Sequence, residues 1–160
     1  MKVKEVMMGT PYTCGKEANL GEAAELMWKG NCGFLPITGA DGRVCGVITD
    51  RDICVALATR HKLAGEVVVG EVSTGRLHAC SPEDEIHVAL LIMRDSRVRR
   101  LPVIDADGKA VGVLSIDDLL SHAEPSGSGR IVELSTDEVV RCYRTVNQRE
   151  LPQVVTKLAA

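Results

Sequence analysis

The stretch Gly46-Val-Ile-Thr-Asp-Arg-Asp-Ile53 returns later in the chain as Gly112-Val-Leu-Ser-Ile-Asp-Asp-Leu119. Each copy reads as an apolar strand that ends at a hydroxyl residue and is followed at once by the start of a helix. The free N–H groups of a helix start can hold a phosphate, and a carboxylate three residues on can accept hydrogen bonds from ribose hydroxyls. The candidate ligand residues are Thr49, Asp52, Ser115 and Asp118.

The same spacing has a simpler interpretation. A hydroxyl residue followed three positions later by an acid is the pattern of a capping box, which does no more than begin a helix. One copy alone favours the cap. Two copies in register within a duplicated chain favour a ligand role in addition.

The duplication extends well beyond this motif. Leu35-Pro36-Ile37 returns as Leu101-Pro102-Val103, an offset of 66 residues, and the same offset relates Cys14 to Cys80. No gap is needed anywhere between Val3 and Ile53. The chain is therefore a tandem repeat, and because neither copy is large enough to close a robust core alone, the two should pack together.

Each copy predicts the element order β-α-β-β-α. Helical spacing of apolar residues and Asp-Gly turns between β-branched runs carry this prediction. In the first copy the predicted elements are a helix at Leu20–Lys29, strands at Phe34–Thr38 and Arg43–Ile48, and a helix at Asp50–Arg60. In the second they are a helix at Ile86–Asp95, strands at Leu101–Ile104 and Ala110–Leu114, and a helix at Ile116–Ala123.

The repeat divides the chain into three parts. The predicted bounds are 1–62 for the first copy, 63–124 for the second and 125–160 for a linker and C-terminal extension. The run Glu124-Pro-Ser-Gly-Ser-Gly129 is a flexible linker by composition. Beyond it, Ser135 or Thr136 can cap a short helix, and Pro152 ends or interrupts any element after it. The face of that short helix is predicted to carry Val139, Val140 and Tyr143.

Composition argues against several classes of function. A net charge of −3 and an aromatic content of 2% argue against binding of nucleic acid. No apolar run approaches the roughly 20 residues that span a bilayer, and no signal peptide is visible, so a cytoplasmic protein is expected. The six cysteines include no C-x-x-C pair, and the four histidines have no ligand spacing and are expected at the surface, so no metal is predicted.

In its element order, its repeat spacing and its Gly-h-h-Thr/Ser-x-x-Asp motif (h, apolar), the chain resembles a tandem pair of CBS domains, a Bateman module, over residues 3–123. It is similar in particular to small stand-alone bacterial CBS-domain proteins, because no enzyme or transporter domain is evident. The resemblance implies an α+β fold in which the copies pack with pseudo-two-fold symmetry. It also implies two clefts between them that bind adenine nucleotides.

The resemblance also assigns roles to residues. Hydroxyls and carboxylates would hold phosphate and ribose, Thr49 and Asp52 in one cleft and Ser115 and Asp118 in the other. Adenine would be framed by backbone around Cys14 and Cys80 and by the side chains of Ile37 and Val103. Guanidinium groups match phosphate oxygens, which makes Arg51, Arg99 and Arg100 candidate phosphate ligands.

The arginines make the two copies unequal. Arg97-Val-Arg99-Arg100 precedes the second Leu-Pro, whereas Asn31-Cys-Gly33-Phe34 precedes the first, so one cleft should bind a phosphorylated ligand better. The alternatives are that these arginines protect a strand edge and that Arg51 pairs with a neighbouring carboxylate.

The function predicted from these features is an adenine-nucleotide-binding regulatory protein that senses energy or redox state. AMP, ADP, ATP and NAD rank ahead of S-adenosylmethionine as ligands. The expected partners are a second copy of the chain and an unidentified effector protein, with neither nucleic acid nor membrane. The alternative is an assembly module that binds no ligand. An enzyme ranks last, because the sequence contains no nucleophile–base motif and no Walker lysine loop.

Overall fold

The predicted elements are present in the predicted order. The computed structural model describes residues 1–73, 76–126 and 132–148. A 3-10 turn at Val3–Glu5 precedes β1 (Met8–Gly9), β2 (Cys14–Gly15), α1 (Leu20–Lys29), β3 (Phe34–Thr38), β4 (Val44–Thr49) and α2 (Asp50–Arg60). A second 3-10 turn at Ala64–Glu66 precedes α3 (Val69–Val72), α4 (Ile86–Ser96), β5 (Arg100–Ile104), β6 (Ala110–Ser115), α5 (Ile116–His122) and α6 (Thr136–Val146). The ends of the repeated helices and of the hairpin strands differ from the prediction by no more than one residue. In the second copy, the strand equivalent to β2 is reduced to a single bridge between Cys80 and Val103.

Both hairpins turn at a glycine in the left-handed region. Gly42 has a φ of +75° and Gly108 a φ of +83°, which a residue without Cβ adopts at no steric cost. The two turns also adjoin each other, since the N–H of Val44 donates to the carbonyl of Gly108 at 2.8 Å. The hairpins therefore meet at their tips.

The strands form two small sheets, and one of them contains strands from both copies: β1 of the first copy joins the sheet of the second. One sheet has the order β2-β3-β4, with β2 parallel to β3. The other has the order β1-β6-β5, so β1 of the first copy adds an antiparallel edge to the hairpin of the second. Met8 pairs with Val113, and Gly9 pairs with Gly112.

The hydrophobic cores follow the same exchange. Val3 and Val6 of the first copy pack among the core residues of the second. Val67 and Val69, which open the second copy, pack in the core of the first. Val3 and Val69 are both 0% exposed, and burying a valine contributes about 1.5–3 kcal/mol. The expectation that the copies pack together is confirmed, and each core is completed by the opening segment of the other copy.

The C-terminal helix α6 packs on the second copy. Ser135 is its N-cap, as the sequence allowed, and the buried residues are Val139 and Cys142. The predicted apolar face was wrong at Tyr143, which is 44% exposed. The face is set by docking against α4, where the Cys142 thiol lies 3.5 Å from the carbonyl of Leu90. Residues 127–129 of the predicted linker and the tail with Pro152 lie outside the described residues.

The cysteines divide into two groups of different expected reactivity. Burial raises the pKa of the Cys14 thiol to about 11 and that of Cys80 to about 12, and burial also raises the pKa of Cys142. We expect an aromatic disulfide reagent at neutral pH to label the native protein quickly only at its exposed thiols, because the thiolate is the reactive species. The exposed thiols are Cys32, Cys45 and Cys54.

Mass spectrometry of the labelled peptides would measure this. Labelling of Cys14 or Cys80 at the rate of Cys54 would contradict the burial of the two repeated cysteines. Denaturation before labelling is the control, since it should make every thiol react.

None of the helices in the described ranges combines the length and the apolar character needed to cross a membrane.

Candidate functional site

Two of the cavities that take their walls from both copies contain the hydroxyl residue of a repeated motif. The first, called the Thr49 cleft, has a volume of ≈440 Å³ and is lined by Phe34, Val47, Thr49, Arg76, His78, Ser96, Val98, Arg99 and Arg100. The second, called the Ser115 cleft, has a volume of ≈500 Å³ and is lined by Met8, Gly9, Thr10, Pro11, Tyr12, Gly30, Asn31, Cys32, Gly33, Phe34, Arg100, Val113, Ser115, Asp117 and Asp118. Both volumes fall in the range of about 300–1,000 Å³ that small-molecule sites occupy.

The two clefts are built from equivalent positions. The repeat offset of 66 residues relates Thr49 to Ser115 and Phe34 to Arg100. Phe34 and Arg100 each line both clefts, so they form a wall that the clefts share. The strand and the pre-helix hydroxyl of a cleft come from one copy, and the facing loops come from the other. This is the pseudo-two-fold arrangement that the resemblance implied.

The hydroxyl and carboxylate of each motif form a complete capping box. Oδ2 of Asp52 accepts from the Thr49 N–H at 2.9 Å and from its hydroxyl at 2.7 Å, and the Asp52 N–H donates to the hydroxyl at 3.2 Å. Ser115 and Asp118 repeat this geometry at 2.8, 2.6 and 3.2 Å. Each hydroxyl proton is directed at its carboxylate, so the hydroxyl can donate to a ligand only if that proton turns away.

The start of α2 also differs from the expectation of free N–H groups. The Asp50 N–H donates to the carbonyl of Gly33 at 3.3 Å, and the Arg51 N–H donates to the side chain of Asp50 at 2.7 Å. The Asp52 N–H is engaged by Thr49. Three of the donors that were expected to hold a phosphate therefore already have acceptors within the protein, which leaves side-chain cations as the candidate phosphate ligands of the Thr49 cleft.

The predicted arginines and carboxylates separate into different places. Arg99 and Arg100 reach the Thr49 cleft, and Asp118 lines the Ser115 cleft together with Arg100. Arg51 and Asp52 instead line a shallow groove on α2 beside Glu71. The structure thus brings Arg99 and Arg100 to Thr49 but places Arg51 on another side of α2.

The four residues expected around adenine lie in the cores. Cys14 pairs with Ile37 and Cys80 with Val103, so the structure does bring each pair together. Cys14 is 3% exposed, Cys80 is 4% exposed, and Ile37 and Val103 are fully buried. None of these four side chains lines either cleft. Contact with a base from these positions would have to come from the backbone.

Several residues of the cleft walls were not predicted from the sequence. Arg76 and His78 line the Thr49 cleft, where Ser96 Oγ lies 2.8 Å from His78 Nδ1. Their repeat equivalents, Thr10 and Tyr12, line the Ser115 cleft. The signal that could have found them is the shared position, four and two residues before the repeated cysteine. The expected surface position is wrong for His78, which is half-buried.

The charges of the two clefts differ. Among the described residues, the side chains lining the Thr49 cleft include Arg76, Arg99 and Arg100 and no carboxylate. The Ser115 cleft contains two carboxylates, those of Asp117 and Asp118, with Arg100 as its cation. Guanidinium groups bind phosphate oxygens through paired N–H donors, whereas carboxylates only accept hydrogen bonds. The Thr49 cleft is therefore suited to an anion.

Within residues 1–73, 76–126 and 132–148, no group of at least three histidine, cysteine, aspartate or glutamate side chains is placed to hold a metal ion. The polar groups that the two clefts offer a ligand in these ranges include arginines, hydroxyls and carboxylates.

Comparison with protein families identifies the repeat. The CBS domain matches residues 3–59 and residues 69–124, which together make up more than half of the chain. The homoserine O-acetyltransferase of Methanohalophilus mahii is 32% identical over 119 residues, which are 74% of this chain and 24% of that protein. The chain thus spans about a quarter of the length of this curated relative.

Solved structures share the fold. The CBS domain pair of protein MJ0100, in complex with 5′-methylthioadenosine and S-adenosyl-L-methionine, has a TM-score of 0.68 and 26% identity and matches 76% of this chain and 94% of its own. The CBS domain protein PAE2072 from Pyrobaculum aerophilum, complexed with AMP, has a TM-score of 0.65 and 29% identity over 74% of this chain and 90% of its own. Hypoxic Response Protein I, with two coordinated zinc ions, has a TM-score of 0.70 and 27% identity over 78% of this chain and 100% of its own.

Proposed function

The chain belongs to the CBS domain family, as a tandem pair of these domains, and we propose that it is a regulatory protein that binds an adenine nucleotide and has no catalytic activity of its own. The observation that carries the proposal is the Thr49 cleft. Three arginines from the second copy, Arg76, Arg99 and Arg100, line this cleft together with the hydroxyl of the first copy. A phosphate placed among them would gain charge-assisted hydrogen bonds from more than one guanidinium.

AMP is the ligand that we propose first for the Thr49 cleft. The AMP complex of PAE2072 and the S-adenosyl-L-methionine complex of MJ0100 support an adenosine-containing ligand in general. The absence of any carboxylate among the described residues lining the Thr49 cleft favours the phosphorylated ligands AMP, ADP, ATP and NAD over the sulfonium there.

A ligand in the Thr49 cleft would act by its position between the copies. Its phosphate would touch the second copy, while the Thr49 hydroxyl and the Val47 side chain belong to the first. A ligand that contacts both copies favours the relative arrangement of the copies that fits it best. Binding therefore increases the fraction of molecules in that arrangement. The proposal includes an effector protein that reads this shift, a homodimer as the working form, and the cytoplasm as its location.

One observation favours an enzyme. Ser96 and His78 form a hydroxyl–imidazole pair inside the Thr49 cleft, which is the geometry of a nucleophile and its base. No carboxylate among the described residues is hydrogen-bonded to His78 to orient the ring. We assign the pair to the positioning of His78 beside the arginines rather than to bond cleavage.

The proposal predicts stabilisation of the protein by adenine nucleotides. AMP at a hundredfold excess over its Kd should stabilise the native state by about 2.7 kcal/mol, because a ligand that binds only the native state shifts unfolding by mass action. For a chain of this size, that raises the melting temperature by about 5–11 °C. The measurement is a thermal-shift panel with AMP, ADP, ATP, NAD and S-adenosylmethionine.

GMP is the matched control for the base, and it should stabilise the protein less than AMP. Chromatography of each ligand after incubation with the protein tests for turnover, and loss of ATP or NAD would favour the enzyme. A flat panel with protein that mass spectrometry finds free of bound nucleotide would favour the assembly module. In that case the capping boxes alone would account for the repeated Thr/Ser-x-x-Asp motif.

A further inference from the structure

The two clefts differ at repeat-equivalent positions in a way that changes which ligand each can hold. Arg76 of the Thr49 cleft corresponds to Thr10 in the Ser115 cleft, and Arg99 corresponds to Gly33. Both substitutions remove a cation. The Ser115 cleft therefore keeps one guanidinium group, that of Arg100, where the Thr49 cleft has three to neutralise a phosphate.

The acidic residues of the Ser115 cleft strengthen this difference. Asp117 lines this cleft, whereas its repeat equivalent Arg51 does not line the Thr49 cleft. Asp118 places a second carboxylate in the same wall, and only its Oδ2 accepts hydrogen bonds from Ser115. An anion entering the cleft would approach both carboxylates, and like charges at short range raise its free energy.

The two clefts share Arg100, which is the one cation among the described residues lining the Ser115 cleft. In the Thr49 cleft it lies with Arg76 and Arg99. A phosphate bound among those arginines attracts the Arg100 guanidinium to its own side. Asp117 and Asp118 then remain as the charged side chains among the described residues that line the Ser115 cleft.

The rest of the Ser115 cleft is suited to a nucleoside. Met8 is 68% exposed and Tyr12 is 48% exposed, so both offer uncovered apolar surface beside the cleft. Oδ1 of Asp118 accepts no hydrogen bond from the described residues and can accept one from a ribose hydroxyl. A neutral or cationic 5′ group would meet the carboxylates without repulsion.

We propose that the Ser115 cleft selects adenosine derivatives that carry no phosphate, with a neutral or positively charged 5′ group. The inference rests on the proposed function, since it assumes that the clefts bind adenosine. It divides the two clefts by ligand charge: the Thr49 cleft takes the phosphorylated nucleotide, and the Ser115 cleft takes the phosphate-free one.

A series of three ligands that differ only in the 5′ group tests this division. AMP is anionic there, adenosine is neutral, and 5′-amino-5′-deoxyadenosine is cationic. The valine methyl groups of the protein supply one reporter in each cleft, because Val47 lines the Thr49 cleft and its repeat equivalent Val113 lines the Ser115 cleft. Methyl NMR titrations then give a separate Kd for each cleft in the same sample.

The Val113 resonance should report tighter binding of the amine and of adenosine than of AMP, by at least about tenfold for the amine over AMP. The Val47 resonance should report the opposite order. Equal AMP affinities at Val47 and Val113 would overturn the inference and leave the proposed function standing. Absence of any shift at either valine with all three ligands would overturn both.

A single substitution in the Ser115 cleft provides a second test of the inference. Asp117→Arg gives the Ser115 cleft the residue of its repeat equivalent, and it should improve AMP affinity at Val113 by at least about tenfold. Asp107→Arg is the matched control, because it makes the same change in net charge in the exposed β5–β6 turn, outside both clefts. An equal gain in both variants would mean that net charge alone attracts AMP, which would overturn the local role of Asp117.

Discussion

Replacing Arg76, Arg99 and Arg100 together by glutamine should weaken AMP binding by about two to three orders of magnitude. Each hydrogen bond between charged groups contributes about 1.5–3 kcal/mol, and neighbouring contributions are not additive, so the loss falls short of the full sum. The arginines face the Thr49 cleft, where no carboxylate among the described lining residues competes with the phosphate. Isothermal titration calorimetry at a fixed salt concentration measures the change.

Adenosine is the control ligand for this experiment, because it lacks the phosphate and should lose little affinity for the variant. A second triple variant, with Arg43, Arg94 and Arg141 replaced by glutamine, removes the same charge outside both clefts. It should bind AMP nearly as well as the parent. An AMP affinity that falls equally in the two triple variants would mean that long-range charge, and not contact in the Thr49 cleft, holds the phosphate.

Gly112→Ala should lower the free energy of unfolding by about 1–3 kcal/mol, the usual cost of added volume in a packed site. A Cβ at Gly112 would lie 2.5 Å from the Met7 sulfur and 3.0 Å from the carbonyl oxygen of Met8. The sulfur can move with its side chain, but the carbonyl belongs to β1, which pairs with β6 at this point. The strand from the first copy would therefore be pushed off the sheet of the second.

The equivalent glycine of the first copy is the matched control. A Cβ at Gly46 would lie 3.6 Å from Ile37 and 3.8 Å from Ser73, which are ordinary contacts. Its φ is not positive, so Gly46→Ala should be neutral or slightly stabilising, by up to about 1 kcal/mol, through the entropy of the unfolded chain. Urea unfolding of both variants measures the difference. Equal destabilisation would contradict the close approach of β1 to Gly112.

Local patterns were sufficient to predict most of the secondary structure. Hydrophobic spacing, capping residues and Asp-Gly turns act within a few residues, and α1, β3 and α2 begin and end where these signals placed them. The exchange of opening segments could not be predicted in the same way. The spacing of Val3 and Val6 shows that both are buried, but it carries no information about which of two similar cores receives them.

The site was predicted in part for a related reason. Thr49 and Ser115 were found because their motif is local, and each does line a cleft. Arg76 and His78 were missed because they lie outside any local motif, and the cleft they line exists only where the second copy meets Phe34, Val47 and Thr49 of the first. The expectation for α6 placed Tyr143 on the buried face, since a short helix with few apolar residues is compatible with more than one face. Packing against α4 buries the predicted Val139, but with Cys142 in place of Tyr143.

The exchanged opening segments determine the order in which the protein can be completed as the ribosome makes it. The core of the first copy requires Val67 and Val69, so it cannot close when residue 62 emerges and must wait for the start of the second copy. Val3 and β1 wait longer, because their partners include Leu114 and the rest of β6. A nascent chain that stops between the copies would expose the unfinished core of the first copy and its unpaired opening segment, and only the arrival of β6 gives the N-terminal residues a place to fold.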